Sequence, residues 1–134
     1  MVVVDASAVL ELLLATPAGE RVARRVLVAG EELHAPHLLD VEVAHVVRRL
    51  EAAREIDVAE AGRVLADLLD LPLERHGHAW LLGRAFELRH AVTASDAMYV
   101  ALAEALDAPL VTADARLARA HGHRARVELV GSGR

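Results

Sequence analysis

The stretch MVVVDASAVLELLLA, residues 1–15, carries the pattern that decides the fold class. Val2–Val4 is a β-branched run that is too short for a helix, and it predicts a buried strand that ends at Asp5. Residues Ala6–Ala15 follow at once and predict a helix. A short strand followed directly by a helix is the first unit of an α/β arrangement.

The same alternation continues along the rest of the chain. Turn-forming residues separate segments that predict four further strands, at Glu32–Ala35, Leu73–Arg75, Pro109–Thr112 and Val127–Val130. Longer segments predict helices at Gly19–Ala29, from Pro36 to Leu50, at Val58–Leu71, at His78–Arg89, from the Thr93 capping box to Leu106, and from Asp114 to about His121. This order predicts an α/β fold whose mostly parallel sheet is covered by helices on both faces.

The composition fits one globular domain over residues 1–134 and excludes several kinds of chemistry. The chain is 54% hydrophobic and 26% charged, with a net charge of −5. It contains no Cys, which excludes disulfides and thiolate catalysis. It contains no Lys either, which excludes a P-loop lysine and Schiff-base chemistry. No charge-free run approaches the roughly 18 residues of a membrane span, so we expect a cytoplasmic protein.

Three acidic residues lie where predicted strands end or predicted helices begin. Asp5 ends the first strand, Asp96 lies in the first turn of a helix, and Asp114 follows the strand that ends at Thr112. Sites in open parallel sheets form at the carboxyl ends of the strands. The three carboxylates are therefore placed to converge.

A fourth acid comes from the helix predicted after Pro36, which carries both Asp40 and Glu42. Residues two apart on a helix point about 200° apart, so both cannot face one site, and geometry alone does not choose between them. Each acid taken singly also fits a helix cap or a solvated flank. Clustered carboxylates repel one another unless a cation neutralises them, and an all-oxygen donor set favours Mg²⁺ or Mn²⁺.

The acids stand within longer motifs. These are Val-Val-Val-Asp5-Ala-Ser7, Leu-Leu-Asp-Val-Glu42, Thr-Ala-Ser-Asp96-Ala-Met-Tyr99-Val-Ala-Leu-Ala and Val-Thr112-Ala-Asp114-Ala-Arg116. In this order and at this spacing, the chain resembles PIN-domain proteins, and more specifically the VapC toxins of type II toxin–antitoxin modules. The resemblance covers nearly the whole chain and implies a PIN-like three-layer α/β/α sandwich with a mostly parallel central sheet of short strands.

The resemblance also implies an endoribonuclease that depends on Mg²⁺, with Mn²⁺ as a substitute. By motif position, the catalytic quartet consists of Asp5, Glu42, Asp96 and Asp114. The resemblance thereby selects Glu42 over Asp40. The three aspartates would carry most of the metal contact, whereas Glu42 would act through water or orient the nucleophile. The hydroxyls of Ser7 and Thr112 would support the carboxylates by hydrogen bonding.

Positive groups beside the acids would be needed to bind RNA phosphates. Arg116, two residues after Asp114, is the first candidate, and Arg49, seven residues after Glu42, is the second. The family resemblance implies a cognate VapB-type antitoxin and a second copy of the chain as further partners. His45 departs from the family, in which Asn is frequent at this position, and we expect it to change the rim of the site only.

Other classes of function remain open from the sequence. A PIN nuclease of RNA processing or repair would carry the same acids, and a non-catalytic PIN scaffold would bind RNA or a protein without cutting. A phosphoryl-accepting regulator is disfavoured because such proteins neutralise the phosphoryl group with a lysine.

We assign no functional role to two histidine pairs or to Tyr99. The pairs His76-Gly-His78 and His121-Gly-His123 have the spacing of metal ligands, but both lie in predicted loops and no acid or Cys completes the set in sequence. We therefore do not assign zinc to them. Tyr99 shares helical spacing with Leu102 and Leu106, which favours packing in the core over stacking on an RNA base.

Overall fold

The computed structural model describes residues 1–130 of the chain. Strands and helices alternate through these residues in the order β1 Val2–Val4, α1 Ala6–Leu13, α2 Pro17–Ala23, β2 Leu33–Pro36, α3 Leu38–Ala52, α4 Val58–Asp70, β3 Leu73–His76, α5 Leu82–Glu87, α6 Ala94–Leu106, β4 Leu110–Thr112, α7 Ala115–Ala118 and β5 Val127–Leu129. A π-helical turn, Arg24–Val28, extends α2, and a 3₁₀ turn, Ala79–Leu81, precedes α5.

The strands form one sheet in the order β3-β2-β1-β4-β5, and every neighbouring pair is parallel. Helices pack on both faces, which confirms the predicted three-layer α/β/α sandwich. In the register between β1 and β4, Val4 is paired with Val111. The residues that follow, Asp5 and Thr112, therefore meet at the carboxyl edge of the sheet.

The centre of the sheet lies in the hydrophobic core. Val2, Val3 and Leu110 are 0% exposed, which is the burial expected of parallel strands covered on two sides. Fully burying each such side chain stabilises the fold by roughly 1.5–3 kcal/mol. Tyr99 of α6 is also buried, with 1% exposed, so it packs in the core as its helical spacing predicts.

The prediction that Pro36 lies in the first turn of a helix is wrong. Pro36 is the last residue of β2, paired with His76 of β3, and α3 begins at Leu38. Proline has no N–H to donate to a neighbouring strand, which limits it to strand ends and edges. Here the next residue supplies the missing donor, since the His37 N–H binds the carbonyl of His76 at 2.8 Å.

Two other predicted helices differ from the observed ones. The segment predicted as Gly19–Ala29 begins earlier, at Pro17, because Thr16 caps its first turn, and it ends as the π-helical turn. The segment predicted as His78–Arg89 is divided into the 3₁₀ turn and α5. Within residues 1–130, no helix is both long enough and apolar enough to cross a membrane.

Candidate active site

A hydrogen-bond network fixes the carboxylate of Asp5 between β1 and β4. Ser7, in the first turn of α1, donates from Oγ to Oδ1 at 2.7 Å, and the backbone N–H of Ala8 donates to the same oxygen at 3.0 Å. Thr112, at the end of β4, donates from Oγ1 to Oδ2. The Ser7 and Thr112 hydroxyls lie 3.2 Å apart. Asp5 therefore cannot rotate without losing several hydrogen bonds.

Asp5 carries its charge in an unusually buried position, with 5% of its surface exposed. Burial raises the pKa of Asp5 to about 6, although the hydrogen bonds from Thr112, Ala8 and Ser7 pull the pKa down. The charge of Asp96 adds a further upward contribution. A neighbouring cation would relieve both the burial cost and the repulsion.

The charge of Asp96 interacts with the charges of the other three acids of the quartet. It occupies the first turn of α6, where its backbone N–H donates to the capping Thr93 hydroxyl at 3.3 Å. Burial raises the pKa of Asp96, and the charge of Asp114 raises it further. The charge of Asp96 in turn contributes to the raised pKa values of Asp5 and Glu42. The folded chain thus brings the other three predicted carboxylates within electrostatic reach of Asp96.

Asp114 is tied to the Asp5 network through the backbone. Its N–H donates to Thr112 Oγ1 at 3.0 Å, and its carboxylate caps α7 by accepting from the Arg116 N–H at 2.9 Å. The guanidinium of Arg116 lies 3.6 Å from Asp114 and 4.0 Å from Asp96, and 74% of its side chain is exposed. Arg116 is therefore at the site, with most of its surface facing solvent.

Tyr99 fixes the position of Glu42. The Tyr99 hydroxyl donates to Glu42 Oε1 at 2.6 Å, from a ring that lies one turn after Asp96 on α6. Burial raises the pKa of Glu42, and the hydrogen bond from Tyr99 lowers it by less. The pKa of Glu42 is therefore raised overall. The helical spacing of Tyr99 predicts its place in the core but not this contact. The sequence signal for the contact is the Asp96-x-x-Tyr99 spacing, which puts both side chains on one helix face.

The structure separates Asp40 from Glu42. Asp40 accepts two hydrogen bonds from the Arg75 guanidinium, at 2.7 and 2.9 Å. This bidentate pair joins α3 to β3. Both oxygens of Asp40 are therefore bound to Arg75 and not to the quartet. Helix geometry alone does not choose between the two acids. In the structure Glu42 lies beside Tyr99 and within electrostatic reach of Asp96, whereas Asp40 lies beside Arg75.

Two of the acids cap helices and also lie near other carboxylates of the quartet. Asp5 caps α1 and Asp114 caps α7, yet each also faces the other carboxylates. In residues 1–130, no three carboxylates of the quartet have oxygens all within 4.8 Å of one another. An all-oxygen donor set of this kind fits a hard divalent cation that keeps part of its own water shell.

The other predicted residues lie farther out. Arg49 and His45 are exposed on α3, and within residues 1–130 no ion pair joins either to the quartet. A cavity of about 350 Å³ opens beside Asp96 and Arg116 and continues along Arg89 and His90. This cavity provides room for a ligand next to the acids.

Comparisons with known proteins agree with this arrangement. The family model for the PIN domain matches residues 2–122. The chain is 47% identical to Ribonuclease VapC12 of Mycobacterium tuberculosis, over 97% of this chain and 99% of that protein. It is 44% identical to Ribonuclease VapC1 of the same organism, over 96% of each chain.

A solved structure shows the same fold. In the crystal structure of VapBC2 from Rickettsia felis bound to a DNA fragment from their promoter, the matching chain gives a TM-score of 0.70 at 15% identity. The match covers 97% of this chain and 99% of that chain. With a family match over most of its length and two relatives aligned nearly end to end, the chain belongs to the VapC ribonucleases of the PIN-domain family.

Proposed function

We propose that this protein is the toxin of a type II toxin–antitoxin module and acts in the cytoplasm as an endoribonuclease that depends on Mg²⁺, or on Mn²⁺ as a substitute. The observation that carries the proposal is the convergence of the four carboxylates around Asp96 in a chain of the VapC family. We also propose that residues 1–134 form a single domain. Residues 131–134 lie outside the described part of the chain.

The three aspartates would hold the cation. When bound, a divalent ion lowers the pKa of water and stabilises the charge that develops on the phosphate and the leaving oxygen. Ser7 and Thr112 donate to the two oxygens of Asp5 and hold its carboxylate in one orientation. Asp5 would therefore lose little rotational freedom on binding the cation. Asp96 and Asp114 face the same space from the starts of α6 and α7.

Glu42 is assigned to the attacking water. The Tyr99 hydrogen bond engages Oε1 and holds the side chain in one orientation. The raised pKa of Glu42 makes it a better proton acceptor than an ordinary exposed carboxylate would be. We therefore assign Glu42 the role of orienting the water and accepting its proton.

Arg116 is assigned to the RNA backbone. Its guanidinium is exposed and lies beside two carboxylates that a cation would neutralise, which would release it to bind a phosphate. Arg49 is a second, more distant candidate on α3. The net charge of −5 makes such local positive groups necessary for binding a polyanion.

The proposed partners are a VapB-type antitoxin, an RNA substrate and a second copy of the chain. The similarity in fold to the Rickettsia felis VapBC2 structure supports the antitoxin. Exposed large apolar side chains support a contact surface near α5, where Trp80 is 56% exposed and Phe86 is 66% exposed.

Expression in a bacterial host without the antitoxin tests the toxin proposal. We expect the wild-type chain to stop growth soon after induction, and the Asp96→Asn chain, expressed at the same level, to leave growth unchanged. Co-expression of the cognate antitoxin should restore growth of the wild type. Growth arrest by both chains would overturn the proposal that cleavage at the quartet is the toxic activity.

A further inference from the structure

Three side chains form a compact cluster on one face of the sheet at its β3 edge. His34 of β2 is paired in register with Glu74 of β3, and His76 lies two residues farther along β3. Paired residues, and residues two apart on a strand, point to the same face. We call His34, Glu74 and His76 the edge triad. Arg75, between Glu74 and His76, points to the other face and binds Asp40 of α3.

The ligand atoms of the edge triad are arranged around one point. His34 Nδ1 lies 2.9 Å from His76 Nε2, and each of these nitrogens lies 3.5 Å from Glu74 Oε2. Atoms at these separations share a point about 2 Å from each of them, which matches Zn–N and Zn–O bond lengths. In residues 1–130, this is the group of three ligand residues whose donor atoms lie within 4.8 Å of one another.

The surroundings hold His34 in the orientation of a metal ligand. Its other nitrogen, Nε2, lies 2.7 Å from Glu32 Oε1 and donates to this carboxylate. Nδ1, which lies 2.9 Å from His76 Nε2, therefore carries the lone pair that a cation would bind. His34 is 3% exposed, which restricts its ring.

The other aromatic and imidazole side chains next to the edge triad have contacts of their own. His78 accepts a hydrogen bond from the Leu38 N–H at 3.0 Å, and His37 packs against His78. The Trp80 ring covers one side of His76, with the ring centroids 6.1 Å apart. Glu74 is the exposed member of the triad, so the triad is reached from solvent on its side.

We propose that the edge triad binds one Zn²⁺ ion through His34 Nδ1, Glu74 Oε2 and His76 Nε2, at a site separate from the acidic quartet. Two imidazole nitrogens and one carboxylate favour zinc over Mg²⁺, which prefers oxygen ligands. The bound ion would join β3, the edge strand, to β2. This inference does not rest on the proposed ribonuclease activity.

Zinc titration of the full-length protein tests the proposal. Chelator-treated protein would be titrated with ZnCl₂ by isothermal calorimetry in millimolar Mg²⁺, which fills the quartet without competing for imidazole. We expect one Zn²⁺ per chain and a Tm raised by about 5–10 °C. Tetrahedral Co²⁺ should give a visible absorption band with the same stoichiometry.

Matched variants identify the ligands. His76→Gln and Glu74→Gln should each weaken zinc binding by more than about 100-fold, whereas Glu32→Ala, which removes only the outer partner of His34, should weaken it by about 10–100-fold. His121→Gln, an exposed histidine far along the chain, is the control and should leave binding unchanged.

Two results would overturn the proposal. One is the absence of zinc binding in millimolar Mg²⁺, in which case the short His34–His76 contact is only a hydrogen bond between the two rings. The other is zinc binding that survives both His76→Gln and Glu74→Gln. Glu74 is exposed, so Glu74→Gln remains informative even where His76→Gln disturbs the sheet edge.

Discussion

At the residue scale, Asp5 is the position where charge and burial conflict most strongly. Its pKa in the folded chain is about 6, against 3.8 for a free side chain, and burial is the main cause. An acid whose pKa is raised on folding costs stability when it ionises. The cost is complete above about pH 6, and it disappears below about pH 4 because both states are then protonated.

Asp5→Asn should therefore stabilise the metal-free protein at pH 8. Asn carries no charge, and its one carbonyl oxygen still accepts from Ser7 and the Ala8 N–H, although its amide group replaces the oxygen that accepts from Thr112. The removed cost of the buried charge exceeds the loss of that hydrogen bond, so we expect a gain of about 1–3 kcal/mol in the free energy of unfolding. The gain should shrink as the pH falls towards 4. Urea denaturation in EDTA at pH 8 and pH 4.5 measures both values. Equal destabilisation at both pH values would show instead that the ionised Asp5 stabilises the fold.

Tyr99→Phe tests the positioning of Glu42. Tyr99 remains protonated because burial and the adjacent Glu42 raise its pKa, so its hydroxyl always donates. Loss of this hydrogen bond to a charged group should cost about 1.5–3 kcal/mol, equivalent to roughly a tenfold or larger fall in kcat. The KM for RNA should change little, because Tyr99 is buried and does not reach the substrate. A large rise in KM with unchanged kcat would contradict this role.

At the element scale, the residues at which strands end and helices begin form the candidate site. Asp5 follows β1, Thr112 ends β4, and Asp114 begins α7, so a parallel sheet is sufficient to bring them together. These placements are predictable from sequence because each rests on a local pattern, a short apolar run followed by an acid. The choice of Glu42 over Asp40 needed family resemblance, since it depends on how α3 packs against Arg75.

The edge triad lay beyond the reach of sequence reasoning for a similar physical reason. His76 was noted for its spacing to His78, but its partners are Glu74, two residues earlier, and His34, 42 residues away. Their meeting depends on the register of β2 against β3. Local patterns do not specify register across two strands that are separated by two helices.

The contact of α1 with α2 gives an element-scale prediction. Gly19 of α2 lies so close to α1 that an added Cβ would stand 2.0 Å from the Glu11 carbonyl oxygen. Gly19→Ala should push the helices apart and destabilise the fold by about 2–3 kcal/mol. Gly62→Ala, in α4, is the matched control: nothing lies within 4 Å, so it should be neutral or stabilise by about 0.5–1 kcal/mol. Thermal unfolding of both variants separates a steric effect from an effect of helix propensity. Equal Tm values for the two variants would contradict a steric clash at Gly19.

At the scale of the whole molecule, an acidic protein gathers four carboxylates at one sheet edge, and its proposed substrate is a polyanion. The net charge of −5 opposes RNA binding, and Arg116 is a positive side chain close to two of the four carboxylates, Asp96 and Asp114. Binding and cleavage are therefore expected only with a cation at the acids. The spatial order of the strands in the sheet, β3-β2-β1-β4-β5, places β1 at the centre, so the proposed cation would lie at the carboxyl end of this central strand.

The most direct test is incubation of antitoxin-free protein with total cellular RNA in EDTA, Mg²⁺ or Mn²⁺, alongside Asp96→Asn and Asp40→Asn. We predict discrete RNA fragments with the wild type in either metal and none in EDTA. Asp96→Asn should be inactive although folded. Asp40→Asn should cleave like the wild type, because Asp40 is occupied by Arg75 away from the site. Cleavage in EDTA, or full activity of Asp96→Asn, would contradict a metal-dependent ribonuclease centred on the quartet.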